Sequence, residues 1–234
     1  MLILGIETSG REGSVALFNK GEIVDSQSLS QEGRRHAQLL VAEIDAMLQR
    51  HNFSATDCDG IAVSIGPGSF TGLRVGVVCA KTFAYATGCL LVAVDTFLAI
   101  ASNAPNDIEK IEVISNAQRG ELFVGKYIRN SEGNFFRTDE IEMIGTEEFI
   151  KSLSSKTTIA GSGVRLIEEE AKKQGDTLQG NILPEEYWQP QATQICLLGE
   201  QLIQQNETAN PWTLAPHYIR HSAAEEKRAA EEGK

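Results

Sequence analysis

The feature that most constrains this chain is a pattern that occurs twice, three strand-like segments followed by a helix. Residues 2–7 read as a strand, Gly13 to Asn19 as a second after a polar turn, and Glu22 to Leu29 as a third after Lys20-Gly21; a helix then runs from about Arg34 to Arg50. The second half begins the same way. Ile111 to Asn116, Glu121 to Ile128 and Phe135 to Met143 are separated by Arg119-Gly120 and Ser131-Glu132-Gly133, and lead into a helix near Thr146 to Leu153. A tandem of this kind predicts an internal duplication. The remaining units are Gly60 to Ile65 before a helix ending near Tyr85, Leu90 to Val94 before Thr96 to Ser102, and Thr157 to Ala160 before Val164 to Lys173. They predict an α/β fold of two lobes, residues 1–104 and 105–221, with 222–234 as a flexible charged tail.

Chemistry is expected at the junction Gly66-Pro67-Gly68-Ser69-Phe70-Thr71-Gly72-Leu73-Arg74, which joins a strand to a long helix. Gly66 and Gly68 permit positive φ, Pro67 stiffens the turn, and Ser69 or Thr71 is placed to cap the helix. The loop lacks the Gly-x-x-x-x-Gly-Lys-Ser/Thr of a phosphate loop, and the third glycine of a dinucleotide fingerprint falls at Thr71. Along the following helix, Gly72, Gly76, Ala80 and Ala84 form one bare stripe. Glycine inside a helix costs about 1 kcal/mol relative to alanine, so the stripe calls for a close neighbour, either another subunit or the chain's own core. The earlier helix shows Ala37, Leu40, Val41, Ile44, Met47 and Leu48 as one apolar band, with Leu39 and Ala46 off its centre.

Charge and cysteine usage exclude several classes. With 21 Lys+Arg against 32 Asp+Glu, the net charge of −11 opposes unaided binding to a phosphate backbone. The 41% hydrophobic content of the 234 residues is ample for a core, yet no run of about eighteen apolar residues exists, and the first residues enter strand alternation directly. A cytoplasmic protein without a membrane span is expected. Cys58, Cys79, Cys89 and Cys196 are scattered, and His217 and His221, though spaced i, i+4, have Tyr218 where a zinc peptidase carries glutamate, so no metal site is expected. No Gly-x-Ser-x-Gly elbow is present, and Gly161-Ser162-Gly163 reads as a turn or a remnant adenosine-side loop.

The junction from Gly66 to Arg74, the opening Ile6-Glu7-Thr8-Ser9, His36-Ala37 and Pro216-x-Tyr218-x-Arg220 together resemble the bacterial TsaB family, also called YeaZ, over about residues 1–221. The architecture likewise resembles the actin, Hsp70 and sugar-kinase superfamily, whose duplicated actin-like ATPase (ribonuclease H-like) lobes clasp ATP. The resemblance implies a non-catalytic partner of TsaD in forming N6-threonylcarbamoyladenosine at position 37 of tRNAs that read codons beginning with adenine. TsaD would transfer the threonylcarbamoyl group, the ATPase TsaE would join the assembly, and tRNA would be met only through the complex. His36, Leu40 and Ile44 of the first helix and Thr71, Gly72, Arg74, Gly76 and Ala80 of the second would form the TsaD interface, or a homodimer through the same helices.

Departures from the family pattern point the same way. Glu7 stands where an Asp is common, and Asn116-Ala117-Gln118-Arg119-Gly120-Glu121 replaces an Asp-Ala-Arg version. In ATPases of the superfamily a carboxylate from each lobe helps to position hydrated Mg²⁺, and an amide supplies no formal charge. Glu7, Thr8, Ser9, Asn116, Gly161 and Gly163 are therefore expected to line a degenerate nucleotide cleft without catalytic residues or a tightly bound cofactor, with ATP or ADP confined to the interface with TsaD. The alternative is a small ATP-dependent phosphotransferase or ATPase of the same superfamily. A peptidase would need a metal triad or a nucleophile that the sequence does not supply.

Overall fold

The structure, a computed structural model, describes residues 1–29, 36–175 and 177–220, and for 36–38 the helical backbone alone. It begins with strands β1 (Leu2–Glu7), β2 (Ser14–Asn19) and β3 (Glu22–Ser28), helix α1 (His36–Arg50), β4 (Gly60–Ser64), α2 (Phe70–Thr87) and β5 (Leu90–Val94). These strands form one sheet in the order β3-β2-β1-β4-β5, antiparallel from β3 to β1 and parallel from β1 to β5. Helix α3 (Thr96–Ala101) leads to β6 (Lys110–Gln118), β7 (Glu121–Arg129), β8 (Phe135–Arg137), β9 (Glu142–Gly145), α4 (Thr146–Ser152), β10 (Thr158–Ala160), α5 (Val164–Gln174), β11 (Asn181–Ile182) and α6 (Ala192–Gln204). The second sheet repeats the first. Its β8 and β9 lie along β7 as β3 lies along β2, and β10 and β11 follow β6 in parallel.

The expected third strand of the second unit, Phe135 to Met143, is thus two strands. Phe135–Arg137 pairs with the end of β7 and Glu142–Gly145 with its start. Between them Thr138 N still donates to the Lys126 carbonyl of β7 at 2.9 Å, the exposed pair Asp139-Glu140 leaves the edge, and Ile141 returns to the core.

Helix α6 has no counterpart among the expected elements, and it changes the lobe division. It packs across β1, β2, β4 and β5 of the first sheet, so residues 105–221 are not a self-contained lobe. Its closeness explains Gly5, where a Cβ would stand 2.5 Å from Cys196 Sγ and 2.6 Å from the Ala192 carbonyl. Strand β1 is consequently buried on both faces, with Leu2, Leu4 and Ile6 against α1 and α2 and Ile3 against α6. Each such aliphatic side chain contributes about 1.5–3 kcal/mol by leaving water.

The small-residue stripe of α2 serves this same core. Gly76, Ala80 and Ala84 are buried within the chain. A Cβ on Gly76 would press on Thr8 Oγ1 and lie 3.4 Å from Val63, and one on Gly72 would overlap the Thr8 carbonyl. Leu40 and Ile44 of α1 are buried in the same cluster. The expectation that Leu40, Ile44, Gly72, Gly76 and Ala80 form a partner surface is therefore corrected: they let the two helices approach β1 and β4. Leu39, expected off-centre, is buried too, whereas Val41 is 66% exposed. The His36 side chain, the start of the expected first helix at Arg34, His221 and the 222–234 tail lie outside what is described. Among the described residues no helix is long and apolar enough to cross a membrane.

Candidate functional site

Between the two sheets lies a cleft lined by the β1–β2 turn, the loop from Pro67 to Leu73, the β6–β7 turn, Trp188 and the segment from His217 to Arg220. The Pro67 loop is clamped from several sides. Gly66 has φ +118° and a cis peptide to Pro67, and its N–H donates to Thr96 Oγ1 at 3.0 Å. Gly68, expected at positive φ, is not in the left-handed region; it is small because a Cβ would stand 2.7 Å from Ser9. Ser69 N donates to the Ser9 carbonyl at 2.8 Å, while Ser69 Oγ caps α2 by accepting from Gly72 N at 3.3 Å. Thr8 Oγ1 donates to the Gly72 carbonyl at 2.8 Å, which fastens α2 to the first turn.

Glu7 ends β1 beneath this turn and is completely buried. Its Oε1 accepts from Ser9 N at 2.5 Å, Ser9 Oγ at 2.6 Å and Gly10 N at 3.1 Å. Oε2 is buried as well, beside the buried Ser64 Oγ. Burial pushes the carboxyl above its usual range against the opposing pull of Ser64, Ser9 and Gly10. A raised native pKa means that ionisation favours unfolding: the stability contribution of neutral Glu7 is complete below about pH 4.3 and declines as pH rises through its native pKa. Glu7→Gln is therefore expected to flatten the dependence of urea midpoint on pH above that value. An unchanged slope would count against the burial effect.

Across the cleft, the second-lobe position is Asn116, exposed, whose Oδ1 accepts from Gln118 N at 2.6 Å. A sealed carboxylate and a neutral amide do not match the two carboxylates that position hydrated Mg²⁺. The residues present therefore do not fit a magnesium nucleotide bound in that manner. Among the described residues no group of three His, Cys, Asp or Glu could hold a metal ion. Residues 215–218 are not helical, so His217 does not present a helical face to residue 221. The cysteines do not offer a nucleophile, since burial pushes Cys58 up to about 12 and Cys79 to about 11, and raises Cys196 as well.

The Pro216-x-Tyr218-x-Arg220 segment ties the lobes together. His217 N donates to the Ile65 carbonyl at 2.7 Å, and Tyr218 OH accepts from Arg74 Nε at 2.9 Å. The Tyr218 ring lies 4.6 Å from that of Phe70, over which Arg74 stacks at 4.0 Å. Arg220 then donates to the Ala117 carbonyl and pairs with Glu121, which anchors the segment on the β6–β7 turn.

A second joint was not anticipated. Asp95 caps α3, with Oδ1 accepting from Phe97 N at 2.8 Å and Leu98 N at 3.3 Å, while Oδ2 accepts from Tyr127 OH at 2.9 Å and Arg137 Nη1 at 3.2 Å. One carboxylate thus joins the helix after β5 to two strands of the second sheet. Asp95→Ala is expected to cost about 2–3 kcal/mol, summing a lost cap and lost hydrogen bonds, and Tyr127→Phe about 1 kcal/mol. Urea unfolding measures both, and equal effects would deny Asp95 its capping share.

Of the expected cleft residues, Ser9 and Asn116 line the cleft, whereas Glu7 and Thr8 are buried behind it. Gly161 and Gly163 do not line it either. Gly161, at φ +110°, and Gly163 back onto Ile114, whose carbonyl accepts from Gly163 N at 3.0 Å, and Ser162 between them reaches the cleft. Of the expected interface residues, Thr71 and Arg74 are exposed. The outer face of α2 also carries Val78 at 62% and Tyr85 at 69% exposure, and Tyr85 meets Trp212 edge-on at 5.1 Å.

Two lobes of one design, joined by a returning helix and a strap, define an actin-like fold. Residues 22–228 match the family model described as TsaD, tRNA N6-adenosine threonylcarbamoyltransferase. The tRNA threonylcarbamoyladenosine biosynthesis protein TsaB of Escherichia coli strain K12 is 27% identical, covering 99% of this chain and 100% of its own. The TsaB protein of Bacillus subtilis strain 168 is 26% identical over 97% of each chain. The structure of YeaZ from Pseudomonas aeruginosa superposes with a TM-score of 0.80 at 22% identity, covering 93% of this chain and 99% of that one. The chain belongs to the TsaD family, in its TsaB (YeaZ) branch.

Proposed function

We propose that this chain acts in the cytoplasm as the non-catalytic partner of TsaD in threonylcarbamoylation of adenosine 37 in tRNAs reading codons that begin with adenine. The near full-length likeness to TsaB proteins supports the pathway. The observation that carries the non-catalytic role is the burial of Glu7 opposite the amide of Asn116, which leaves the cleft without the carboxylate pair of a magnesium-dependent ATPase. The phosphotransferase or ATPase alternative has no comparable support. With a net charge of −11, the chain would meet tRNA only through the complex, as TsaE joins TsaD and this subunit.

The outer faces of α1 and α2, with Val41, Arg74, Val78 and Tyr85, supply the docking surface in this reading. A homodimer through the same face would compete with the heterodimer. Any ATP or ADP would be held at the joint with TsaD, and none tightly by this chain alone.

Omission tests the proposal. Purified chain, TsaD, TsaE and the threonylcarbamoyl-adenylate supply are combined with tRNA, and modification is read by mass spectrometry of nucleosides. Modification should require this chain and TsaD together, and the chain alone should neither modify tRNA nor hydrolyse ATP. Turnover by the isolated chain, or full modification without it, would overturn the reading.

A further inference from the structure

We infer that the segment 216–220 is a latch that holds the two lobes at one fixed angle. Leverage along the β6–β7 hairpin gives so short a segment this role. At the base of the hairpin Tyr127 stands opposite Ile111, and its hydroxyl donates to Asp95, through which the chain crosses from β5 into α3. Other links between the lobes gather at the same end. Asn103 Nδ2 donates to the Gln189 carbonyl at 2.8 Å, which joins the crossing after α3 to the one that leads into α6. Gln201 Nε2 of α6 donates to Asn134 Oδ1 at 3.3 Å. Arg129 stiffens this end, donating to the carbonyls of Ala104, Pro105, Ile108 and Gly133 while stacking on Phe135 at 4.2 Å. Bonds grouped at one end of a lever define a pivot and leave the far end able to swing.

The far end is the turn after Gln118, and the latch grips it. Ala117 lies about 20 Å along β6 from Ile111 at the rise of an extended strand. There Arg220 donates to the Ala117 carbonyl and pairs with Glu121, which stands opposite Gln118. Just before it the segment is fixed to the first lobe: Tyr218 OH accepts from Arg74 Nε, the Tyr218 ring lies against Phe70, and His217 N donates to the Ile65 carbonyl. Contact at Gly66 is equally close, since a Cβ there would stand 2.8 Å from the His217 carbonyl oxygen. A turn of the second lobe by about 10° at the pivot carries a point about 20 Å away through about 3.5 Å, enough to break a hydrogen bond. The lobe angle is therefore set where Arg220 holds the hairpin tip, and the cleft keeps one opening while that grip is intact.

The latch lies within the isolated chain, so its failure and the failure of the TsaD partnership are read separately. Nitroxide labels on keto-bearing unnatural side chains at the exposed positions Gln49 of α1 and Glu169 of α5 report the distance between the lobes by pulsed electron double resonance. The parent should give one narrow distance distribution. Arg220→Ala should broaden it at least twofold or move its centre by about 3 Å or more, with the circular dichroism spectrum unchanged. Arg165→Ala is the control: it breaks a pair with Glu185 that stays within the second lobe, and it should leave the parental distribution in place. A broad distribution in the parent, a parental one in Arg220→Ala, or equal broadening by Arg165→Ala would overturn the latch. Should Arg220→Ala fail to fold, Glu121→Ala decides, because it removes the other half of the grip: broadening is expected, and an unchanged distribution overturns the inference.

Discussion

Gly76→Leu is expected to destabilise the folded monomer itself, lowering the melting temperature by about 4–16 °C, instead of merely loosening a complex. Any Cβ at this position presses on Thr8 Oγ1 and approaches Val63 Cγ2 to 3.4 Å and Ile6 Cγ2 to 3.5 Å. Helix α2 would have to withdraw from β1 and β4, between which the chain has no slack, because α6 closes the opposite face of the same strands. Overpacking alone costs about 1–3 kcal/mol, and separation of the Thr8 hydroxyl from the Gly72 carbonyl adds about 1 kcal/mol. Against a total stability of about 5–15 kcal/mol, the loss is a large fraction. Circular dichroism melts of the isolated chain provide the measurement. A parent-like melt accompanied by lost TsaD binding would return the stripe to the partner surface and refute the packing seen here.

Why the stripe was legible as a close-approach surface, but not as to which neighbour it meets, is a matter of physics. Four-residue spacing of Gly72, Gly76, Ala80 and Ala84 states only that something comes near; a strand backbone and a second helix demand the same absence of side chain. The duplication was legible because strand alternation and turn residues are local signals. Helix α6 carried its own signal in Ala192, Ile195, Cys196, Gly199 and Ile203 at helical spacing, yet its destination on the first sheet depends on contacts far away in sequence. Strand β11, two residues long, is too short for any period to register. At the site, Glu7 was visible as a departure from Asp, but nothing in the neighbouring sequence shows that its extra methylene folds the carboxyl back onto Ser9 and Gly10. Asp95 was findable, standing immediately before a helical run where a capping residue belongs, whereas its bonds to Tyr127 and Arg137 bridge separate sheets.

Val78→Glu is expected to weaken TsaD association at least a hundredfold while leaving the monomer's stability within about 0.5 kcal/mol of the parent. The side chain stands 62% exposed on the outer face of α2, four residues from both Arg74 and Thr82, which are exposed as well. Tyr85 continues the ridge and carries Trp212 against it, while Val41 stands exposed on the adjoining α1. Large apolar and aromatic side chains grouped in this way are the residue types that anchor interfaces, and a carboxylate introduced among them must be desolvated, at a cost of several kcal/mol that Arg74, one helical turn away, offsets only in part. A carboxylate in water, by contrast, disturbs nothing inside the chain. Tyr85→Ala tests the same ridge by removing contact area instead of adding charge, and should also reduce association at least tenfold. Calorimetric titration against TsaD measures heteromeric affinity, and sedimentation of the isolated chain reports whether copies pair through the same ridge. If Val78→Glu and Tyr85→Ala both bind TsaD with parental affinity, the docking surface lies elsewhere on the molecule, because no interface centred on α2 can tolerate both a new charge at its middle and the loss of its aromatic end.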